Sequence, residues 1–338
     1  MFVGTPKGME KKLVTQAGFD FAAVDVRGFQ RKISFSNIKR NAVALIRVFT
    51  SSAQAKKIIK NFAPDLAIGT GGYVSGPAIR ACQKLGIKTA IHEQNSFPGI
   101  TTKMLCKNAD AVMLASEDAA KHLPEGLKYE LIGNPIRQEF FDTTKQQARQ
   151  ELSIPLDKKV ILSYGGSLGA RRVNEAAAHV IANKISDKSF HFIHAYGQYG
   201  SFMPPLLKEK GVDLSAFNLD LREYINNMPK CMLAADLVIC RSGAITISEL
   251  SACGKASVLI PSPNVSENHQ YFNALSLKSR DAAVLIEEKD LSGELLLDTV
   301  NKLFFEKNML EKLSENSKNA AVLNTNERIY AILKNLMP

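Results

Sequence analysis

Three glycine-rich segments each follow a short apolar run and precede a helical pattern. They are residues 68–78 (IGTGGYVSGPA), 163–174 (SYGGSLGARRVN) and 239–254 (ICRSGAITISELSACG). Glycine lets the chain turn sharply and approach a ligand closely, and backbone N–H groups at a helix N-terminus favour an anion. None of the segments reads GxGxxG or GxxxxGKS, so their spacing does not indicate a dinucleotide or ATP. A tight turn without a ligand is the alternative.

Charged side chains in the second and third segments point to phosphate and ribose. Arg171 and Arg172 fall in the first turn of the predicted helix, where cations oppose the helix dipole, so we expect them to serve a bound anion. Thr246 and Glu249 are three residues apart and share one helix face. A carboxylate at this place is a common acceptor for a ribose diol, although it also stabilises a helix N-terminus by itself.

Two further loops are rich in hydrogen-bonding side chains, residues 92–99 (HEQNSFPG) and 267–274 (ENHQYFNA). His92 is only a weak candidate for a catalytic group, because a lone histidine is more often structural. His269, Gln270 and Asn273 could reach sugar hydroxyls. No His and carboxylate pattern has the spacing of metal ligands, so we predict no metal site. The five cysteines are odd in number and lack CxxC spacing, which favours reduced thiols over disulfides.

The elements that must position these loops alternate along the chain. Ten short apolar runs, in two sets of five spanning residues 21–132 and 160–286, are separated by helical patterns. Such alternation predicts parallel sheets covered by helices on both faces. Ligands bind at the carboxyl ends of such strands. The charged segment 133–159 contains two prolines, and we place a domain boundary at Pro135.

The net charge of +10 is concentrated in the first part of the chain. Residues 1–135 carry 19 basic and 10 acidic side chains, whereas residues 136–338 carry 24 and 23. The first part is therefore expected to meet a polyanion: an anionic membrane, a phosphorylated substrate or nucleic acid. Aromatic residues interleaved with the basic ones are too few to favour nucleic acid. Residues 39–62 read either as a basic amphipathic helix at a bilayer surface or as a core-facing helix with a solvated basic face.

Six segments together resemble the signature loops of a known family. GTGGYVSGP, HEQN, GNPIR, GGSLGA, RSGAITISE and NHQ occur here in the order of the MurG family, the UDP-N-acetylglucosamine:N-acetylmuramyl-(pentapeptide)-pyrophosphoryl-undecaprenol N-acetylglucosaminyltransferases. The resemblance covers essentially the whole chain. It implies the α/β GT-B fold, with two Rossmann-like doubly wound domains facing each other across a cleft. Residues 1–134, joined by the C-terminal helix 322–338, would be the acceptor and membrane-facing domain, and residues 135–321 would bind UDP-GlcNAc.

The resemblance also implies a reaction. GlcNAc would pass with inversion from UDP-GlcNAc to the C4 hydroxyl of the MurNAc of lipid I, forming lipid II in peptidoglycan synthesis, with no cofactor and no metal. The expected partners are UDP-GlcNAc, lipid I and an anionic membrane surface, with no nucleic acid. The expected location is peripheral, at the cytoplasmic face of the bacterial inner membrane.

Residue roles carry over by matching position. Ser167 would contact the diphosphate, Ile225 the uracil and Glu249 the ribose, while Gln270 would bind GlcNAc hydroxyls. The full implied donor set is Asn95, Arg137, Ser167, Ile225, Ala244, Ile245, Thr246, Ile247, Ser248, Glu249 and Gln270. For the pyrophosphate of the acceptor we hypothesise a site at Gly71, Gly72, Tyr73 and Ser75.

The start of the chain departs from the family pattern. The family begins with a strand and a GGTGGH-type loop, and FVGTPKGMEKKLV matches the part that follows them. About 30 residues of an ordinary strand–helix unit are thus expected to be missing, which should leave an apolar groove and unpaired backbone groups in the N-terminal sheet. Either the start codon is assigned too late, which we favour, or the chain is truncated. Two other functions stay open: another GT-B glycolipid glycosyltransferase, such as one acting on diacylglycerol, and a non-catalytic nucleotide-sugar-binding remnant.

Overall fold

The computed structural model describes residues 1–26 and 51–337. The chain forms two compact units, residues 1–132 with 324–338 and residues 133–323, called unit 1 and unit 2 below. In both units parallel strands alternate with helices, which confirms the predicted α/β class.

Unit 1 contains two groups of parallel strands. Its elements, in chain order, are β1 (Phe2–Gly4), α1 (Met9–Gln16), β2 (Phe21–Ala23), α2 (51–62), β3 (Leu66–Gly69), α3 (Gly72–Lys84), β4 (Lys88–Glu93), α4 (Ile100–Leu105), β5 (Ala111–Leu114) and β6 (Glu130–Leu131). Strands β3, β4, β5 and β6 pair in that order, and β1 pairs with β2. Among the described residues, β1 and β3 each have one partner strand, and Phe2 and Ile68 on them are about half exposed. The groove expected in this sheet stays a prediction.

Unit 2 is a single six-stranded parallel sheet with helices on both faces. Its elements are α5 (Lys145–Glu151), β7 (Lys159–Tyr164), α6 (Arg171–Lys184), β8 (Phe190–Ala195), α7 (Met203–Glu209), β9 (Leu219–Arg222), α8 (Met228–Ala234), β10 (Leu237–Cys240), α9 (Ala244–Ala252), β11 (Ala256–Leu259), α10 (His269–Lys278), β12 (Val284–Leu285), α11 (Gly293–Phe305) and α12 (Met309–Asn319). The spatial order is β12-β11-β10-β7-β8-β9. The direction in which strands are added reverses between β7 and β10, and ligands bind at such a switch point in doubly wound sheets.

Burial on both faces explains the apolar runs of the central strands. On β8, Phe190 and Phe192 join the core on one face of the sheet, and Ile193 joins the core on the other. The ten predicted strands are confirmed. The apolar pattern does not predict β9, because LDLR is short, carries two charges and forms the edge of the sheet.

The chain ends in α13 (Thr325–Leu336), which belongs to unit 1. Ile332 packs with Met113 and Ile132, and the Thr325 hydroxyl donates a hydrogen bond of 2.7 Å to the Ile132 carbonyl. Helix α13 is amphipathic because its apolar face packs against unit 1.

Candidate functional site

A cavity of about 240 Å³ opens at the switch point of the unit 2 sheet. Its walls come from the loop after β7, the loop after β9 and the first turns of α9. They are formed by Arg137, Tyr164, Gly166, Ser167, Ala195, Glu223, Tyr224, Ile225, Asn226, Met228, Thr246 and Glu249. The cavity therefore joins residues that are more than 100 positions apart in sequence.

The glycine-rich loop after β7 needs its glycines. Gly169 has φ of +84°, and its N–H donates a hydrogen bond of 2.9 Å to the Gly166 carbonyl. A Cβ on Gly169 would lie 2.3 Å from the Tyr196 carbonyl oxygen, so a larger residue is excluded. Helix α6 follows with no side-chain cap and no acidic residue in its first turn. The first N–H groups of α6 are thus left without a side-chain cap, as an anion site requires.

Helix α9 presents a second N-terminus of the same kind. Its N-cap is Gly243, no side chain caps it, and its first turn has no acidic residue. Thr246 and Glu249 line the cavity, whereas Ile247 packs against the hydrophobic core. The Ser248 hydroxyl accepts a hydrogen bond of 3.0 Å from the Asn134 side-chain amide. The helix therefore presents one face to the cavity and uses the other for packing.

Glu249 is the buried carboxylate of the cavity. It is 8% exposed, and its nearest cationic partner is Arg137, whose Nη2 lies 3.9 Å from Oε1. Burial raises the pKa of Glu249 to about 7, and the positive charge of Arg137 offsets part of this increase. At neutral pH the carboxylate is close to half ionised, so a ligand that donates hydrogen bonds to it would favour the ionised form.

The opposite wall of the cavity follows β9. Ile225 is 4% exposed and offers an apolar surface beside Met228. Glu223 and Tyr224 precede it and also line the cavity, although only Ile225 of these three was predicted. Tyr164, Ala195, Asn226 and Met228 also line the cavity without having been predicted. Of these, Tyr164 carries a signal in the sequence, because it is a polar side chain directly before a glycine-rich turn.

Some predicted donor residues lie near the cavity but outside its lining. Ala244 and Ile245 begin α9, where Ile245 is 43% exposed. The Gln270 side-chain oxygen accepts a hydrogen bond of 2.9 Å from the Ser262 N–H. The Gln270 carbonyl accepts one of 2.7 Å from the Ser242 hydroxyl. Gln270 thereby ties the start of α10 to the turn before α9.

Arg171 and Arg172 do not line the cavity. Arg171 donates a hydrogen bond of 2.8 Å to Glu175, and Arg172 donates one of 2.6 Å to the Leu291 carbonyl. Both side chains lie along a groove between α6, α7 and the start of α11. The helix phase thus places both side chains outside the lining of the cavity, and their expected role in binding an anion stays a prediction.

In unit 1 the glycine-rich loop after β3 lies beside the loop after β4. Gly71, with φ of +83°, is the N-cap of α3, which has no side-chain cap and no acidic residue in its first turn. A Cβ on Gly71 would lie 3.6 Å from the side-chain oxygen of Gln94. Tyr73 is 56% exposed and Ser75 is half-buried in the first turns of α3. Gly71, Gly72, Tyr73 and Ser75 thus surround one uncapped helix N-terminus.

A single buried carboxylate, Glu93, shapes the loop that carries Asn95. Its Oε1 accepts hydrogen bonds of 3.1 Å from the N–H and from the side-chain amide of Asn95. Its Oε2 accepts a hydrogen bond of 2.6 Å from the Thr102 hydroxyl and one of 3.0 Å from the Gly99 N–H. Asn95 therefore has a fixed place at the end of β4 in unit 1, and the polar composition of residues 92–99 is explained by these bonds.

His92 lies inside unit 1. It is 4% exposed on β4, and its Nδ1 is 3.3 Å from the Gln94 side-chain nitrogen. A buried ring of this kind is poorly placed to take a proton from a substrate hydroxyl. Within residues 1–26 and 51–337, no group of three His, Cys, Asp or Glu side chains is arranged to hold a metal ion.

Comparison with known proteins identifies the family. Residues 1–114 match the glycosyltransferase family 28 N-terminal domain, and residues 160–329 match the family 28 C-terminal domain. The UDP-N-acetylglucosamine–N-acetylmuramyl-(pentapeptide) pyrophosphoryl-undecaprenol N-acetylglucosamine transferase of Acetivibrio thermocellus is 41% identical, over 100% of this chain and 89% of the relative. The enzyme of the same name from Desulforamulus reducens is 40% identical, over 99% and 88%. The chain belongs to the MurG family.

Solved structures agree with the fold of the MurG family. The crystal structure of Acinetobacter baumannii MurG matches with a TM-score of 0.80 at 24% identity, over 98% of this chain and 90% of that one. The UDP-GlcNAc 2-epimerase of Neisseria meningitidis bound to UDP-GlcNAc matches with a TM-score of 0.63 at 13% identity, over 98% and 90%. At these identities the likeness shows the two-domain α/β architecture, and the predicted GT-B fold is confirmed.

The structure brings together five of the donor residues expected from the MurG resemblance, in one cavity of unit 2. These are Arg137, Ser167, Ile225, Thr246 and Glu249. Asn95 lies in unit 1, and the other five flank the cavity or support its walls. Their roles in binding stay predictions.

Proposed function

We propose that the protein transfers N-acetylglucosamine from UDP-GlcNAc to the C4 hydroxyl of the MurNAc of lipid I, with inversion at the anomeric carbon, and so forms lipid II for peptidoglycan. The observation that carries this proposal is the full-length likeness to relatives named for that reaction, at 41% and 40% identity. The geometry of unit 2 supports it, because its cavity lies at the switch point, where nucleotides bind in this class of sheet.

The diphosphate of the donor would lie between the N-termini of α6 and α9. Both helices begin without a side-chain cap and without an acidic residue in the first turn. Negative charge grows on the leaving UDP as the glycosidic bond breaks, and N–H groups already fixed in place stabilise it without reorganisation. Ser167 and the Arg137 cation, both exposed at the cavity, would add hydrogen bonds to the diphosphate.

The nucleoside would occupy the rest of the cavity. The ribose hydroxyls would donate hydrogen bonds to Glu249, since a buried carboxylate lacks water to solvate its charge. The uracil would lie against Ile225, which offers an apolar surface at the end of β9. This arrangement assigns the nucleotide to unit 2.

The acceptor would bind to unit 1. The start of α3 provides N–H groups for the pyrophosphate of lipid I at Gly71, Gly72, Tyr73 and Ser75. The hydroxyl that attacks the sugar must lose its proton in the same step. Asn95, which Glu93 holds by two hydrogen bonds, lies in the loop after β4, next to the glycine-rich loop of this unit. The excess of basic residues in this part of the chain suits a pyrophosphoryl lipid.

We expect the membrane contact to lie on unit 1, which contains the basic segment 39–62. In the segment predicted to bind a bilayer, residues 39–50 lie outside the described residues. In α2, Ser51, Ala55 and Ile59 are buried, and Lys56, Lys57 and Lys60 are exposed, as in a core-facing helix with a solvated basic face. Within residues 1–26 and 51–337, none of the helices combines the length and the apolar composition of a membrane span.

Helices α3 and α4 form another surface of unit 1, which combines exposed apolar side chains with cations. Ile100 and Met104 on α4 are 54% and 59% exposed. Arg80 and Lys84 of α3 line a groove beside Met104. Such a surface fits the interface of an anionic bilayer, and this peripheral contact, at the cytoplasmic face of the inner membrane, belongs to the proposal.

The deciding experiment is a UDP-release assay with lipid I and, separately, diacylglycerol as acceptors. We expect release with lipid I alone, loss of most of that activity in Glu249→Gln, and little change in Glu175→Gln, an exposed carboxylate on α6 outside the cavity. Release with diacylglycerol instead would favour the other glycolipid glycosyltransferase. Calorimetric binding of UDP-GlcNAc without turnover on either acceptor would favour the non-catalytic remnant.

A further inference from the structure

Tyr164 is a buried phenol in the wall of the donor cavity that no sequence motif assigns to a function. It ends β7 directly before the glycine-rich turn and is 7% exposed. Its ring packs in the core on the α9 side of the sheet, beside Cys240, its paired residue on β10. Tyr164 is one of the residues that line the cavity, and its buried hydroxyl forms no hydrogen bond within the described part of the chain.

A phenol in this position is costly unless a ligand completes its bonding. A buried hydroxyl without a partner destabilises a fold, and phenylalanine would provide the same ring without that cost. Burial, then the Cys240 thiol and the Glu249 carboxylate, raise the pKa of Tyr164 well above 10. The hydroxyl therefore keeps its proton and acts as a hydrogen-bond donor, with the Glu249 carboxylate among its neighbours.

We propose that Tyr164 is a positioning residue for the donor: when UDP-GlcNAc binds, its hydroxyl donates a hydrogen bond to the Glu249 carboxylate and holds it ionised towards the ribose diol. This inference rests on the proposed function. An ionised carboxylate can accept several hydrogen bonds, so one oxygen can accept hydrogen bonds from the ribose while the other accepts one from Tyr164. In the free structure the Tyr164 hydroxyl has no hydrogen-bond partner among the residues that the structure describes, and we expect the bond to form in the complex, where the diol orients the Glu249 carboxylate and keeps it ionised.

The groups around Glu249 allow this bond to be isolated in a pH profile. They are Arg137 from the loop after β6, Tyr164 from β7, Cys240 from β10 and Cys253 at the end of α9. Arg137 stays charged at all relevant pH values, and burial raises the thiol pKa values to about 12 and about 11. Between pH 5 and pH 8.5, Glu249 is thus the group of this set that titrates.

The test measures UDP-GlcNAc affinity by calorimetry for the wild type and Tyr164→Phe from pH 5 to pH 8.5. We expect binding of Tyr164→Phe to be about tenfold weaker at pH 8, which corresponds to about 1.4 kcal/mol. The deficit should begin to shrink towards pH 5, as the carboxylate of the complex starts to be protonated, first in Tyr164→Phe. The free energy of unfolding should be equal or higher in Tyr164→Phe, because no hydrogen bond of the free protein is lost. Tyr199→Phe, at an exposed tyrosine outside the cavity, is the matched control and should bind as the wild type does.

A double-mutant cycle shows whether Tyr164 acts through Glu249. In the Glu249→Gln background, Tyr164→Phe should cause less than a twofold further loss of affinity. A full tenfold loss in the Glu249→Gln background, or no deficit at all, would each overturn the inference. Failure of the wild type to bind UDP-GlcNAc would instead refute the proposed function, so the two failures are distinguishable.

Discussion

The buried carboxylate of Glu249 predicts that affinity for the donor depends on pH. Its pKa in the free protein is about 7 because burial penalises the charge more than Arg137 compensates. If the ribose diol binds the ionised form, protonation competes with binding. For a pKa near 7, and a much lower one in the complex, the dissociation constant at pH 6 should be about tenfold larger than at pH 8, a difference of about 1.4 kcal/mol.

The same carboxylate affects the stability of unit 2 with the opposite sign from an ordinary surface acid. Its folded-state pKa lies above the usual value of 4.5, so the native state binds more protons than the unfolded state between about pH 4.5 and pH 7. Stability therefore falls as pH rises through that window, by about 3 kcal/mol when each pKa unit is worth about 1.4 kcal/mol. Glu249→Gln removes this cost and should be the more stable protein by about that amount at pH 8, with little difference below pH 4.5.

The assay for both effects is calorimetry with UDP-GlcNAc and denaturant unfolding followed by circular dichroism, since the chain has no tryptophan. UDP-GlcNAc is preferable to UDP because its diphosphate has no terminal group that titrates near neutral pH. Glu249→Gln should bind at least tenfold more weakly at pH 8 and show a flat pH profile, whereas Glu175→Gln should keep the wild-type profile. A wild-type affinity that is the same at pH 6 and pH 8, with an equal stability difference at pH 5 and pH 8, would refute the reasoning.

Three further outcomes are expected. Gly169→Ala should destabilise unit 2 by at least about 3 kcal/mol, because φ is positive and a carbonyl oxygen occupies the place of a Cβ. Gly211→Ala, at a positive φ in open space, should cost only about 1 kcal/mol in the same denaturant unfolding experiment. Glu93→Gln should raise the KM for lipid I while UDP-GlcNAc affinity stays unchanged, since its four hydrogen bonds all lie in unit 1. A changed donor affinity would contradict that assignment. Met104→Glu should reduce co-sedimentation with anionic vesicles severalfold, and Leu156→Glu, an equally exposed apolar site in unit 2, should not. Equal binding by both would show that the membrane contact lies elsewhere.

The class of fold and the place of the site could be predicted from the sequence because both depend on local patterns. Apolar runs bounded by glycine-rich turns define parallel strands, and the carboxyl ends of such strands meet at one edge. Residues 163–174 and 239–254 were therefore expected to lie together, although a whole strand–helix series separates them. Strand β9 was not predicted, because an edge strand that alternates apolar and charged residues lacks the buried apolar run.

The identity of the lining residues depended on helix phase and burial, which no local pattern specifies. In α9 the helix phase places Thr246 and Glu249 in the lining of the cavity and Ile247 against the core. In α6 the phase places Arg171 and Arg172 in a different groove. His92 is buried because β4 is covered on both faces.

What the sequence by itself determined is an α/β protein of two parallel-sheet domains, with glycine-rich loops at strand ends and a basic first part. Tertiary structure alone decided that Glu249 Oε1 lies 3.9 Å from Arg137 Nη2, that burial raises the pKa of Glu249 to about 7, and that Tyr164 lines the same cavity. The physical reason is that helix starts, whose backbone N–H groups favour an anion, can be recognised from local sequence. The charge state of a side chain, in contrast, depends on burial and on charges that only the folded chain brings near it.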